Sequence, residues 1–149
     1  MVVRLSFILV LLSLVSCATD VNWKPVSYGH LLHDGNSKVW LVDAMINKNG
    51  MDVGSLDRDD KNVLIFYFSG SFMYQSVRDM GTSKGRKGSY LFDTEKKSLS
   101  LIFDSSEIGT KAETWHYSFE TVTEDSIYIA PLKKSKAELG LKLISYPEF

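Results

Sequence analysis

The chain has 149 residues, the size of a single domain. Its 17 Lys+Arg against 18 Asp+Glu give a net charge of −1, which argues against the basic face that a nucleic-acid partner requires. One cysteine rules out an internal disulfide, so folding rests on the core, for which the 12% aromatic content is adequate material.

The first sixteen residues read as a leader. Arg4 gives it a positive start, and Leu5 to Val15 form an apolar run broken only by Ser6 and Ser13. That run is too short for a bilayer span of about 20 residues but fits a secretory signal with roughly 7–15 apolar residues. It closes on Leu14-Val15-Ser16-Cys17, where the chain's only cysteine follows a small residue. This resembles the lipobox of bacterial lipoproteins. The alternative is a secreted protein with a chance cysteine in its leader. The resemblance implies cleavage before Cys17, diacylglycerol on its sulfur and an acyl chain such as palmitate on its amino group. Two or three such chains anchor a protein stably, each buried CH₂ contributing about 0.8 kcal/mol. The mature part would keep 133 residues, with 16 Lys+Arg against 18 Asp+Glu.

Ala18, and not aspartate, follows the cysteine. In Gram-negative lipoproteins an aspartate there retains the protein in the inner membrane, so the resemblance implies the outer membrane. Asp20 alone is not the acidic cluster used for surface export in some lineages, which leaves the periplasmic face.

Residues 17–37 read as lipidated cysteine, tether and entry segment, carrying Pro25, Gly29 and Gly35. Trp23 and Tyr28 are expected to pack on the domain, with a lid or contact to headgroups as alternatives. His30-Leu31-Leu32-His33-Asp34 is the only cluster with metal-like residues. Zinc would need a third ligand, the distant His116, so a solvated entry loop is the better reading and no metal or cofactor is expected.

From Lys38 the pattern is period two, rich in β-branched and aromatic residues. Lys38 to Ile46 places Trp40, Val42, Ala44 and Ile46 on one face. Asn47 to Gly50 is turn chemistry, Met51 to Leu56 an edge strand, and Asp57 to Asn62 a charged loop. Val63 to Phe68 is apolar on both faces. Ser69-Gly70 turns into Ser71 to Val77, where Phe72 and Tyr74 share a face. Asp79 to Arg86 reads as a mobile loop, and Lys87 to Asp93 alternates Tyr90 and Phe92. Thr94 to Lys97 turns into Ser98 to Phe103, with Leu99, Leu101 and Phe103 inward. After the polar stretch from Asp104 to Glu113, Thr114 to Thr121 puts Trp115, Tyr117 and Phe119 on one face and His116 on the other. Ser126 to Ala130 follows the turn Thr123-Glu124-Asp125. Lys133 to Glu138 suits one helical turn, and Leu139 to Tyr146 is the last strand.

Seven or eight strands joined by short loops predict an all-β fold over residues 38–149. An antiparallel up-and-down barrel is expected, with a β-sandwich as the alternative. The whole is similar to the lipocalin-like small lipoproteins of Gram-negative bacteria. The likeness rests on the lipobox, on Trp40 within Lys38-Val39-Trp40-Leu41-Val42, on the Phe72 hairpin, and on Tyr90 and Trp115 opening later strands. It departs from lipocalins proper at Lys38, where they carry glycine, and in lacking an evident arginine under the tryptophan.

Catalytic signals are weak. The G-x-S-x-G spacing of Gly81-Thr82-Ser83-Lys84-Gly85 falls in the loop Asp79 to Arg86 with no helix after it and so makes no nucleophile elbow, and Asp59-Asp60 and Glu124-Asp125 fall in turns where solvation is their ordinary fate. Lys84-Gly85-Arg86-Lys87-Gly88 lacks the spacing of a phosphate loop and reads as a hairpin loop, or as a contact for headgroups or an acidic partner. No catalytic residue is assigned. Trp40, Phe72, Tyr90, Trp115 and Tyr117 would line a ligand cavity if the barrel were hollow, their polar tips orienting the guest. Two functions follow: an accessory subunit docking on an envelope assembly such as a secretion or motility machine, or a binder of a small apolar or amphiphilic ligand. Cys17→Ser is expected to move the protein from the membrane to the soluble fraction. Mass spectrometry of the wild type should find acyl mass on a peptide beginning at Cys17, and a bare thiol there would refute the anchor.

Overall fold

The computed structural model describes residues 28–54, 57–105 and 112–146. The leader, Cys17 and Trp23 lie outside them. Tyr28–His33 form one short helix, α1. Eight antiparallel strands follow: β1 Ser37–Ile46, β2 Asn62–Tyr67, β3 Ser71–Ser76, β4 Arg86–Asp93, β5 Ser98–Phe103, β6 Glu113–Val122, β7 Ser126–Pro131 and β8 Gly140–Ser145. Each pairs with the next, and β1 pairs with β8, which closes the barrel. The sandwich alternative is thereby excluded, and no sheet edge is left for edge-to-edge association.

The alternation read from sequence decides what fills the interior. Trp40, Leu64, Phe66, Phe72, Leu99 and Leu101 are at most 1% exposed and form one cluster with Phe103, Tyr117, Ile127, Ile129 and Leu143. Phe72 meets Phe103 edge-on at 5.0 Å, and Phe66 meets Tyr90 at 5.1 Å. Such edge-to-face pairs add about 0.5–1.5 kcal/mol beyond area burial. Space for these rings comes partly from Gly88 in β4. A Cβ there would collide with the Ile102 carbonyl oxygen and lie 2.9 Å from the Phe72 ring.

Hairpins and α1 share one end of the barrel. Turns between β2 and β3, β4 and β5, and β6 and β7 lie at the end where β1 begins. There α1 acts as a plug. Leu32 is fully buried in the core cluster, and its carbonyl accepts the Trp40 indole N–H at 3.0 Å. Tyr28 lies 5.5 Å from Phe92 and 5.7 Å from Phe119, so it packs on the domain as expected. The loops after β1, β3, β5 and β7 gather at the opposite end, the mouth.

Several local expectations are corrected. A bulge between Val42 and Ala44 inverts the phase of β1. Met45 now pairs with Leu141 and packs on the core, while Ala44 pairs with Lys142 and turns outward, taking Ile46 with it. Asp43 at the bulge is held by Lys61 at 2.9 Å and Lys142 at 3.4 Å, which stabilises the kink. Met51 to Leu56 makes no strand among its described residues, only a bridge from Asp52 to Ile46. The Asp52 carboxylate instead accepts from the Met45 and Gly54 amides, which ends pairing. Lys133 to Glu138 forms turns and not a helical turn, because the Ser135 hydroxyl accepts from the His116 and Ala137 amides and ties the span to β6. Arg86, Lys87 and Gly88 belong to β4 and not to a hairpin loop.

The double-sided apolarity of β2 has its own cause. Val63 faces outward yet is fully buried, paired with Leu41 on one side and Gln75 on the other, both nearly buried. Two 3-10 turns, Arg58–Asp60 and Val77–Asp79, are joined by the Val77 amide to the Lys61 carbonyl and by an Arg78–Asp60 ion pair at 2.8 Å. Leu32→Ala is expected to cost about 2–5 kcal/mol in urea unfolding, the usual penalty for emptying a core site. His30→Ala, two residues away and exposed, should cost under about 0.5 kcal/mol. Equal midpoints for the two variants would show that α1 does not plug the barrel.

Candidate functional site

The five residues proposed to line a cavity are placed along the barrel interior, and they fill it. Trp40, Phe72 and Tyr117 are 0%, 1% and 1% exposed, while Tyr90 and Trp115 are half-buried against the same cluster. Three of the four polar tips that would orient a guest are already engaged by the chain. The Trp40 N–H donates to Leu32, the Tyr90 hydroxyl to the Tyr67 carbonyl at 2.9 Å, and the Trp115 N–H to Glu113 Oε1 at 2.7 Å. Burial, with Tyr74 and Glu113 nearby, pushes the Tyr117 hydroxyl far above its ordinary range, so it stays neutral.

An ion pair that the sequence reading did not single out closes the mouth. Arg86 and Glu113 open β4 and β6 on their inward phase, paired with Tyr74 and Phe103 respectively. The Arg86 guanidinium is bonded to Glu113 Oε2, lies 3.8 Å above the Phe103 ring and 5.4 Å from that of Trp115. Trp115 in turn meets Phe103 at 4.5 Å and Tyr74 at 5.9 Å. The apolar cluster is thus capped by a cation on aromatic faces, a favourable use of arginine. Alternation from Gly88 and Trp115 backward could have placed both residues inward. Their charge, beside loop-like glycines, argued for solvent instead.

At the plugged end, Lys38 lays its ammonium 4.4 Å over the Trp40 ring and donates to the Glu124 carbonyl at 2.8 Å. The residue that departs from the lipocalin glycine therefore brings a cation onto the indole. His30 and His33 share α1, with ring centroids 6.2 Å apart. His33 Nδ1 accepts from the Gly35 amide, and His30 faces Asp34 at 3.8 Å. His116 lies on the outer wall of β6, its Nδ1 2.8 Å from the Ser100 hydroxyl. Among the described residues no three His, Cys, Asp or Glu are grouped to hold a metal ion.

A cleft of about 880 Å³ lies outside the barrel wall. Val39, on the outward phase of β1, forms part of its floor with Val77 and Met80. Leu31 and Tyr146 add further apolar surface, and Asp34, Glu124 and Asp125 bring three carboxylates against the single ammonium of Lys38. None of the five proposed cavity residues lines it. No family model, curated protein or solved structure matches this chain.

Hydrogen bonds from Trp115 and then Arg86 hold the Glu113 carboxyl below its ordinary value of 4.5. A depressed carboxyl contributes stability above its unfolded value and loses it as pH falls through the folded one. Glu113→Gln is therefore expected to lower the urea midpoint at pH 7 by an amount worth about 1 kcal/mol, modest because the Arg86 and Glu113 side chains remain 46% and 33% exposed. The gap from wild type should close on acidification below the ordinary glutamate range. A gap that persisted at pH 2–3 would mean that shape, and not charge, is what Glu113 supplies.

Proposed function

We propose that this chain is a non-catalytic lipoprotein of the Gram-negative type, anchored through Cys17 at the periplasmic face of the outer membrane. Its lipocalin-like barrel acts as the docking module of an accessory subunit on an envelope assembly, a secretion or motility machine. The filled interior carries this reading. A carrier of a small apolar ligand needs a cavity of about 300 Å³ or more bounded by free polar groups. Here the inward residues bury one another, and the indole and phenol tips of Trp40, Tyr90 and Trp115 are bonded within the chain. Recognition then falls to outer walls and loops.

The anchor fits such a role. Ten residues, 18–27, separate Cys17 from α1, and a chain of that length reaches at most about 33–36 Å. That reach keeps the barrel close to the bilayer with its outer walls and loops open to a partner. The mouth loops hold the exposed Met51, Val53 and Leu132.

The experiment is a titration with N-phenyl-1-naphthylamine, an uncharged probe that brightens in apolar cavities. No saturable 1:1 enhancement and no quenching of tryptophan emission are expected. Saturable binding that Phe72→Ala or Trp115→Ala alters would overturn docking in favour of the ligand-carrier function.

A further inference from the structure

The cleft outside β1 has a chemistry of its own, and its two sides differ. Val39, Val77 and Met80 give an apolar wall, whereas Glu124 and Asp125, on the β6–β7 turn, and Asp34, just after α1, give an acidic one. Backbone bonds hold the acidic turn in place. The Glu124 carbonyl accepts from Lys38, and the Asp125 carbonyl accepts from the Ser145 amide at 2.8 Å. The Glu124 and Asp125 carboxylates form no ion pair among the described residues. The one ammonium in the cleft, that of Lys38, is occupied with the Trp40 ring and the Glu124 carbonyl. The Arg58 guanidinium lies 5.4 Å from the Tyr146 ring at the cleft's border, so three carboxylates outnumber two cations and a negative excess remains next to an apolar floor, in a fold with no sheet edge on which a peptide could add a strand.

We propose that this cleft is the docking site for an extended segment of a partner protein in which lysine or arginine alternates with apolar residues. The proposal deepens the docking reading above and rests on it. An extended chain sends successive side chains to opposite sides, so one set meets Val39, Val77 and Met80 while the other meets Asp34, Glu124 and Asp125. Burial of the apolar set supplies the affinity. The carboxylates select the sign of the partner's charge and speed its encounter, which makes binding salt-dependent.

The test uses the full-length purified protein in detergent and a fluorescein-labelled six-residue peptide alternating lysine and valine, with its glutamate–valine counterpart as control. Fluorescence anisotropy should show saturable binding of the lysine peptide only, weakened about tenfold or more by Glu124→Lys with Asp125→Lys. The same double variant, altered only in an exposed turn, should gain binding of the glutamate peptide. Retained thermal unfolding of the variant guards against loss of fold. Equal binding of both peptides, or indifference to the double variant, overturns the proposal. Binding that appears only after deletion of residues 18–27 also overturns it, since the occupant is then the chain's own lead-in segment.

A second arm separates this failure from failure of the docking reading. A photo-crosslinking amino acid is placed in living cells at Met80 in the cleft, at Leu91 on the exposed wall of β4 across the barrel, or at Leu132 at the mouth. A discrete adduct at Met80, lost with the double variant, supports the cleft. Adducts at Leu91 or Leu132 alone overturn the cleft and keep docking. Absence of adducts at all three positions overturns both.

Discussion

The hydrogen bond from the Trp40 indole to the Leu32 carbonyl, 3.0 Å long and fully buried, is the contact on which the architecture turns. An indole N–H inside an apolar barrel costs about 1–3 kcal/mol if left without an acceptor. The last turn of a helix has the converse problem, carbonyls with no intrahelical donor. Each settles the other. Because the acceptor belongs to α1, the bond also positions Leu32 in the core and Tyr28 against Phe92 and Phe119. Lys38 adds a cation over the same indole and ties the start of β1 to the β6–β7 turn. Plug, first strand and acidic turn are therefore one unit, and the cleft is walled by parts of that unit.

Closure of the barrel and filling of the barrel are separate achievements with separate causes. Closure follows from eight strands of six to ten residues in consecutive antiparallel pairs, with β8 returning to β1. Filling follows from aromatic residues on the inward phase of β1 to β6, with Gly88 making room where Phe72 meets Phe103. At the mouth the apolar layer ends under Arg86, whose guanidinium can lie on Phe103 and still reach water and Glu113. A charged cap of this kind keeps solvent from the core without demanding a lid.

Much of this was legible in the residues. Ser98–Phe103 is a strand with the bounds and phase that Leu99, Leu101 and Phe103 imply. The facing of Trp115, Tyr117 and Phe119 holds up to the bulge that follows Phe119. Bulges were not legible, since the extra residue of β1 is Asp43, whose selection depends on Lys61 and Lys142, 18 and 99 positions away. The short helix was hidden for a related reason. His30, His33 and Gly29 are poor helix formers, and only the burial of Leu32 under Trp40 makes helix the lower-energy choice. Five aromatic residues were correctly placed inside, but sequence alone does not say whether inward rings surround a space or occupy it. That depends on whether their polar tips find partners, and the partners are a carbonyl in α1, a carbonyl in β2 and a carboxylate in β6.

A filled barrel shifts the question of function from what it holds to what it faces. The outer wall of β1 to β3 is covered, with Leu41, Val63 and Gln75 buried on it and Gly85 close against Gln75. That cover ends at Val77 and Met80, which form the far side of the cleft, while the near side is set by the plug unit built on Trp40. The cleft exists because two independent coverings of the wall, one from the mouth loops and one from the plugged end, stop short of each other. Its apolar floor is the strip of outer wall that neither covers. Its acidic rim follows from Lys38 having turned to the indole and a carbonyl, which leaves the carboxylates of the β6–β7 turn to define the local charge.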